Sequence, residues 1–343
     1  MNAHLRANLW LLGLTIVLCS VIYPLVLWGI GQTVFTEKAE GSMITGAKGE
    51  VIGSHLIAQP FTTDEYFQPR PSAASYKGEA SGGTNWAASN YLLRDRVARQ
   101  LGPVVKYASG PKKGQLAAPD IEAWFQKDQY AGKPGIVAQW ANAHSTVAQN
   151  WVKADEMNGN YVTAWQKTHD VEVAQWKTAN PDNTDPKPED LAVPFFTSFS
   201  KSYPGTFPSA VEHKSPDGRT EKTVEPVKAG TDIQSVFFDM WTHEHPDADL
   251  EKVPGDMVTA SFSGLDPHIT LDNANWQLDR VAAAWAKRTG ADPANTRGEI
   301  EQLLREKTFA PLGGLVGESL VNVLEMNITL QGRYQKSAGG TVF

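Results

Sequence analysis

LWLLGLTIVLCSVIYPLVLWGI, from Leu9 to Ile30, contains no Asp, Glu, Lys, Arg or His. At about 1.5 Å of rise per residue a helix of this length reaches about 33 Å, enough to cross a hydrocarbon core of about 30 Å. Inside lipid every backbone N–H and C=O needs a partner within the chain, and a helix supplies them. Pro24 removes one such bond, so a kink is predicted just past the middle. No other stretch is apolar for so long. A cleaved signal peptide is the first competing reading. The run exceeds the roughly 7–15 apolar residues of such a segment, and GQTVFTEKAEG follows it without an Ala-x-Ala site. A buried soluble helix would need apolar surroundings on all sides. The expectation is a retained transmembrane helix over 9–30 behind a short tail, 1–8. Arg6 precedes the span while Glu37, Lys38 and Glu40 follow it, which favours a cytoplasmic N-terminus and places the remainder outside the inner membrane.

That remainder is long enough for one large domain or two ordinary ones. A net charge of −7 and a pI near 5.7 argue against nucleic acid or an anionic lipid surface as the main partner. The single cysteine, Cys19, lies inside the span, so neither an internal disulfide nor a cysteine metal site can form.

After the span, 37–70 reads as short strands and turns punctuated by Gly41, Gly46, Gly49 and Gly53. PRPSAASYKGEASGGTNWAASN (69–90) has the composition of a linker, yet Arg70, Tyr76, Asn85 and Trp86 suit an ordered loop equally well. Leu93, Val97 and Leu101 predict a helix starting near Asn90 and stopping at Gly102-Pro103. From 104 to 252 the composition shifts, with tryptophans at 124, 140, 151, 165, 176 and 241. Helical periodicity over 121–177, broken at Lys133-Pro134-Gly135 and at Asn158-Gly159, predicts a helical insertion. Its tryptophans either pack its own core or form an interfacial face. From 180 to 230 loops are expected. Beyond it, Met257–Ser263 reads as a strand. Thr270 is the N-cap of a helix carrying Leu271, Leu278, Val281 and Trp285 and stopping at Gly290, and a second helix follows over 296–307. Alternation of Leu324, Met326, Ile328 and Leu330 with Glu325, Asn327 and Thr329 predicts a half-buried strand. The tail 335–343 is expected to be flexible.

Motifs for catalysis are weak. GSMITGAK (41–48) approaches a phosphate-binding loop, but Ala47 replaces the glycine before Lys48 and Gly49 replaces the hydroxyl residue after it. THEHPDADLE (242–251) sets His243 and His245 near carboxylates, as a zinc site would, without clear third and fourth ligands. Ser81-Gly82-Gly83 has no base to activate the serine. Asn327-Ile328-Thr329 is a chance-level glycosylation match. His55 and His268 are read as structural hydrogen-bonding residues. The residues support an anchored extracytoplasmic module with no catalytic, metal or cofactor residues assigned.

Several phrases together resemble the C chain of the Kdp potassium-transporting ATPases. They are Tyr23-Pro24 in the span, GSHLIAQPFTTDEYFQPRPSAAS (53–75), SGGTNWAASN (81–90), VPGDMVTASFSGLDPHIT (253–270) with Gln277 and Arg280-Val281-Ala282, and VNVLEMN (321–327). The likeness covers about 5–101 and 253–334. It departs at Ala58, at Phe262 where a small residue is usual, at Ser319-Leu320, and at the whole of 104–252. The resemblance implies a split α+β extracytoplasmic domain (31–103 with 253–334) behind one N-terminal transmembrane helix, and the residues themselves predict the mainly helical Trp-rich insertion, 104–252, that splits it.

In function it implies a non-catalytic subunit of an ATP-driven potassium importer, a catalytic chaperone that raises the ATP affinity of the ATPase subunit. Its partners would be a potassium channel-like subunit, a P-type ATPase subunit and a small F subunit. ATP, Mg2+ and K+ would be used by the complex, with none assigned to this chain. Candidate partner contacts are Gly13, Ser20, Tyr23 and Pro24 in the span, where Gly29 also offers a small surface, and Arg70, Ser81, Gly82, Gly83, Asn85, Asp266 and Gln277 outside it. Two rivals are a freestanding anchored binding module that uses the insertion, and a zinc hydrolase on His243 and His245.

Overall fold

The computed structural model describes residues 2–46, 49–87, 89–214, 220–315 and 317–334. The tail 335–343 therefore lies outside the described residues, as do Ala47 and Lys48 of the phosphate-loop-like stretch. The chain mixes helices with short two-stranded sheets and divides into two compact units. One comprises Met1–Thr84 with Pro254–Phe343, the other Asn85–Val253.

The first unit begins with α-helix Asn2–Ile16, continues through a π-helical turn Val17–Ile22, and resumes as α-helix Tyr23–Val34. Within it an 18-residue window reaches a mean hydropathy of 2.3 with none of it buried, so the helix is long and apolar enough to cross a membrane. The interruption expected at Pro24 takes the form of this π turn. Tyr23 N–H donates to Leu18 O, five residues back. The wider turn moves backbone away from the proline ring, which in a regular α-helix collides with the carbonyl four residues earlier.

A hairpin of Met43–Thr45 with Val51–Ser54 follows. The chain then runs as a strap through 55–84 whose one regular element is the short 3-10 helix Gly78–Ala80. After the second unit it returns to a strand pair, His268–Thr270 against Leu320–Asn322. Helices Leu271–Thr289, Pro293–Lys307 and Val323–Tyr334 enclose a core of Trp285, Leu278, Ile300, Leu304, Met326 and Leu330, closed by Phe67 from the strap. Thr270 Oγ1 accepts Asn273 N–H at 3.1 Å as the expected N-cap. Gly290, at φ 71°, ends that helix, and Asp292 caps the next.

Two expectations fail here. Residues 323–334 form a helix, not a strand: the buried positions Val323, Leu324, Met326, Asn327, Leu330, Gln331 and Tyr334 follow the helical period, with two carboxamides inside the apolar stripe. Met257–Ser263 is not a strand either. A helical turn, Gly255–Val258, leads into a loop because Asp256 is drawn to the next helix, accepting from Thr270 N–H, Thr270 Oγ1 and Asn273 Nδ2 at 2.8–3.0 Å.

The second unit opens with helix Tyr91–Leu101, capped by Asn90 and ended at Gly102 as expected. This helix, grouped with 31–103 from sequence, packs on helix Thr231–Glu244 within the second unit. Helices Ala118–Phe125, Ile136–Ala143, Ser145–Ala154, Glu156–Gln166 and Asp170–Ala179 follow. Asn158-Gly159 lies inside a helix, and the break falls at Asp155, whose carboxylate caps Met157 N–H. The loops expected over 180–230 are instead largely ordered. Helix Ala192–Ser202 buries Phe195, Phe196 and Phe199. Phe207–Lys214 pairs with Thr220–Val227, Pro208 facing Pro226. Two facing prolines suit a non-hydrogen-bonded pair, which asks no N–H of either. The tryptophans do pack an internal core: Trp140, 1% exposed, meets Phe196 edge-on at 5.0 Å and Phe207 at 5.7 Å.

A Cβ at Gly102 would sit 1.9 Å from Gln234 O, whereas one at Gly298 would meet nothing within 4 Å. Gly102→Ala should therefore push the two helices apart and cost about 1–3 kcal/mol. Gly298→Ala, in the interior of an exposed helical stretch, should stabilise by about 0.5–1 kcal/mol. Denaturant midpoints of the two variants should move in opposite directions.

Candidate functional site

The strap is fixed by side chains that imitate peptide groups. Asn327 Oδ1 accepts Phe67 N–H and its Nδ2 donates to Phe67 O, both at 2.9 Å. Gln277 repeats the pairing at the next residue, accepting Gln68 N–H at 2.7 Å and donating to Gln68 O at 3.0 Å. Arg280 adds bonds to Asp64 O at 2.9 Å and Tyr66 O at 3.1 Å. Asn322 Nδ2 reaches His55 O at 2.9 Å, and His55 Nδ1 lies 2.6 Å from Glu325 Oε1.

Beyond these clamps the strap meets the turn 261–265. Ala58 N–H donates to Leu265 O, Gly82 N–H and Ser81 Oγ to Ser263 O, and Ser72 Oγ to Gly264 O. Gly264 is required twice: its φ is +69°, and a Cβ there would lie 2.9 Å from Gly82 O. Asp266 takes His268 N–H and His268 Nδ1 at 3.0 Å and faces Arg70 Nη1 at 3.7 Å, while Arg70 Nη2 reaches Ala260 O. Burial pushes the Asp266 carboxyl up, but the two His268 hydrogen bonds and the Arg70 charge outweigh it and hold it below the usual carboxylate range. Phe262, at the tip of the turn, is 90% exposed.

Arg70, Ser81, Gly82 and Asp266 are thus brought together around one turn. Gly83 lies exposed beside them in sequence. Gln277 is 5% exposed, so it positions the strap and has little surface to offer. Asn85 is an exposed residue of the second unit at φ 51°. Gly13, Ser20, Tyr23 and Pro24 lie exposed along the apolar helix, and no atom comes within 4 Å of a Cβ built on Gly13. Sequence reasoning gives Asn327 no role in holding the strap; its place in VNVLEMN is the available signal. At 1% exposure Asn327 has no room for a glycan. His243 and His245 sit at the end of helix Thr231–Glu244 and diverge. His243 Nδ1 faces Tyr130 OH, and His245 Nδ1 bonds Trp241 O. Among the described residues no three His, Cys, Asp or Glu gather as metal ligands.

A family model described as KdpC, the c chain of K+-transporting ATPases, matches residues 5–123 and 222–332. The unmatched stretch, 124–221, is narrower than the 104–252 expected from sequence. A Bacillus cereus protein named Potassium-transporting ATPase KdpC subunit is 50% identical over 316 residues, which cover 92% of this chain and 89% of that protein. A protein of that name from a second Bacillus cereus strain is 26% identical with the same coverage. One from Pseudomonas syringae pv. tomato is 43% identical over 111 residues, 32% of this chain and 58% of its own length.

Asn327→Ala removes both bonds to Phe67 and leaves buried backbone groups unpaired, so it should destabilise the first unit by about 2–3 kcal/mol. Hydrogen exchange at the Phe67 amide should accelerate with it. Because the folded pKa of Asp266 is depressed, its stabilisation is present above the ordinary carboxylate range and disappears as pH falls through the folded value. Melting curves of Asp266→Asn should lie below those of the parent at neutral pH and converge with them in acid.

Proposed function

The chain belongs to the KdpC family, the c chain of K+-transporting ATPases, and from that premise we propose that it is a non-catalytic subunit supporting assembly of a potassium importer. Helix 9–30 anchors it in the inner membrane with a cytoplasmic N-terminus, and the chain after the helix lies outside. Its partners are a potassium channel-like subunit, a P-type ATPase subunit and a small F subunit, and the complex uses ATP, Mg2+ and K+. The chain raises the ATP affinity of the ATPase subunit as a catalytic chaperone. With ATP on the opposite side of the membrane, it acts through the assembled partners and not by touching nucleotide.

One observation carries this reading. Segments 53–75, 81–84 and 254–270, far apart in sequence, converge on one turn whose polar groups are consumed in holding it rigid, while Phe262 projects from its tip. A stiff loop with an exposed aromatic is suited to docking on a partner. Arg70, Ser81, Gly82, Gly83 and Asp266 form its base, and Gln277 holds the strap behind it. The freestanding module is the weaker alternative, since the large aromatics of Asn85–Val253 are turned into its own core.

A tagged chain purified from its own membranes in mild detergent should bring down a channel-like subunit and a P-type ATPase at equal stoichiometry. Recovery of the chain alone, monodisperse, would favour the freestanding module. Gly13→Leu should weaken co-purification through the span. Phe262→Glu should do so through the turn by about 1–2 kcal/mol or more, with the melting temperature unchanged. Complex assembled without the chain should show a raised KM for ATP; an unchanged KM would remove the chaperone role.

A further inference from the structure

In the first unit a pocket of about 370 Å³ lies between the hairpin, the strap and helix Val323–Tyr334. Its walls are mainly apolar, with Ile52, Phe61, Leu324 and Ile328 among them. Gln331 also lines it. That residue is 5% exposed, and its side chain makes no hydrogen bond among the described residues. With no partner among the described residues and no amide atom sealed from solvent, its carboxamide opens onto this cavity, which is of ligand size. Gln59, which lines the pocket from the strap, commits its Nε2 to Ile52 O at 2.8 Å. Its Oε1 accepts no hydrogen bond from the described residues. Two carboxamides with unused capacity therefore border a mainly apolar space, which Glu50, Tyr66 and Asn327 also line. No Lys or Arg is among the described lining residues, and Glu50 is.

We infer that this pocket binds a single-chain amphiphile with an uncharged, hydroxyl-bearing head, such as a monoacylglycerol. The chain lies against Ile52, Phe61, Leu324 and Ile328, and the head hydroxyls exchange hydrogen bonds with Gln331 and Gln59. A carboxylate head finds no cation among the described lining residues and meets Glu50, so fatty acid is disfavoured. The hairpin that forms one wall begins soon after the apolar helix ends, which puts a bilayer within reach as the source.

The test uses the full chain in lipid nanodiscs with a diazirine-bearing monomyristoylglycerol, followed by peptide mapping of the crosslink. Saturable labelling on 50–66 and 321–334, competed by monomyristoylglycerol about tenfold better than by myristate, is the expected result. Ile328→Trp, which fills the pocket, should abolish that labelling at an unchanged melting temperature. Gln331→Leu should weaken it about fivefold. Labelling confined to the apolar helix, or unchanged in both variants, would overturn the site. Equal competition by myristate would overturn the assignment of the head. If Ile328→Trp fails to fold, Leu324→Phe serves as the second filling variant, and undiminished labelling in it refutes the proposal.

Discussion

The paired hydrogen bonds from Asn327 and Gln277 to successive residues of the strap are the constraint on which the first unit depends. Backbone donors and acceptors must be satisfied wherever they are buried, and the strap crosses a core without belonging to a sheet. Two carboxamides, 1% and 5% exposed, present the donor and acceptor that a neighbouring strand would have presented. The net gain from each bond is modest, about 1 kcal/mol. Losing one partner exposes the other to a larger penalty of about 1–3 kcal/mol. That asymmetry makes these positions intolerant of replacement by apolar residues of similar size.

Fixing Phe67 and Gln68 has consequences along the chain. Pro69, Arg70 and Pro71 follow at once, and prolines on both sides restrict the backbone of Arg70. Its guanidinium is thereby delivered to Ala260 O and Asp266. Ser72 then bonds Gly264 O, and Gly82 bonds Ser263 O. A chain of side-chain-to-backbone bonds runs from the helical core to the turn, so the turn inherits the rigidity of the helices behind it. A surface so fixed would lose little conformational entropy on docking, which is where affinity at a small contact would be gained.

Local signals are legible where one residue does one job. The unbroken apolarity of 9–30, the caps Asn90 and Thr270 and the stops Gly102 and Gly290 can be read directly. Legibility fails where a polar residue occupies a buried face. The carboxamides Asn327 and Gln331 interrupt the helical stripe of 323–334, leaving an alternation that mimics a strand. The hairpin Phe207–Lys214 with Thr220–Val227 has much of its second strand exposed and so shows no clean alternation. Arg70, Ser81, Gly82 and Asp266 emerge as a set through resemblance, but composition alone cannot show that they meet, because their contacts span most of the chain.

The same distinction explains how the chain accommodates so large a departure from its family. Residues 124–221 fall outside the family match, and they supply Trp140, Phe195, Phe196 and Phe207 to the core of the second unit. The first unit's core draws on Phe67, Trp285, Ile300 and Met326, and the two clusters share no residue. An added segment that buried its aromatics in the first unit's core would have had to displace side chains already packed at near-crystalline density. By enclosing its own aromatics the segment leaves the clamps on the strap, and the turn they support, chemically unaltered.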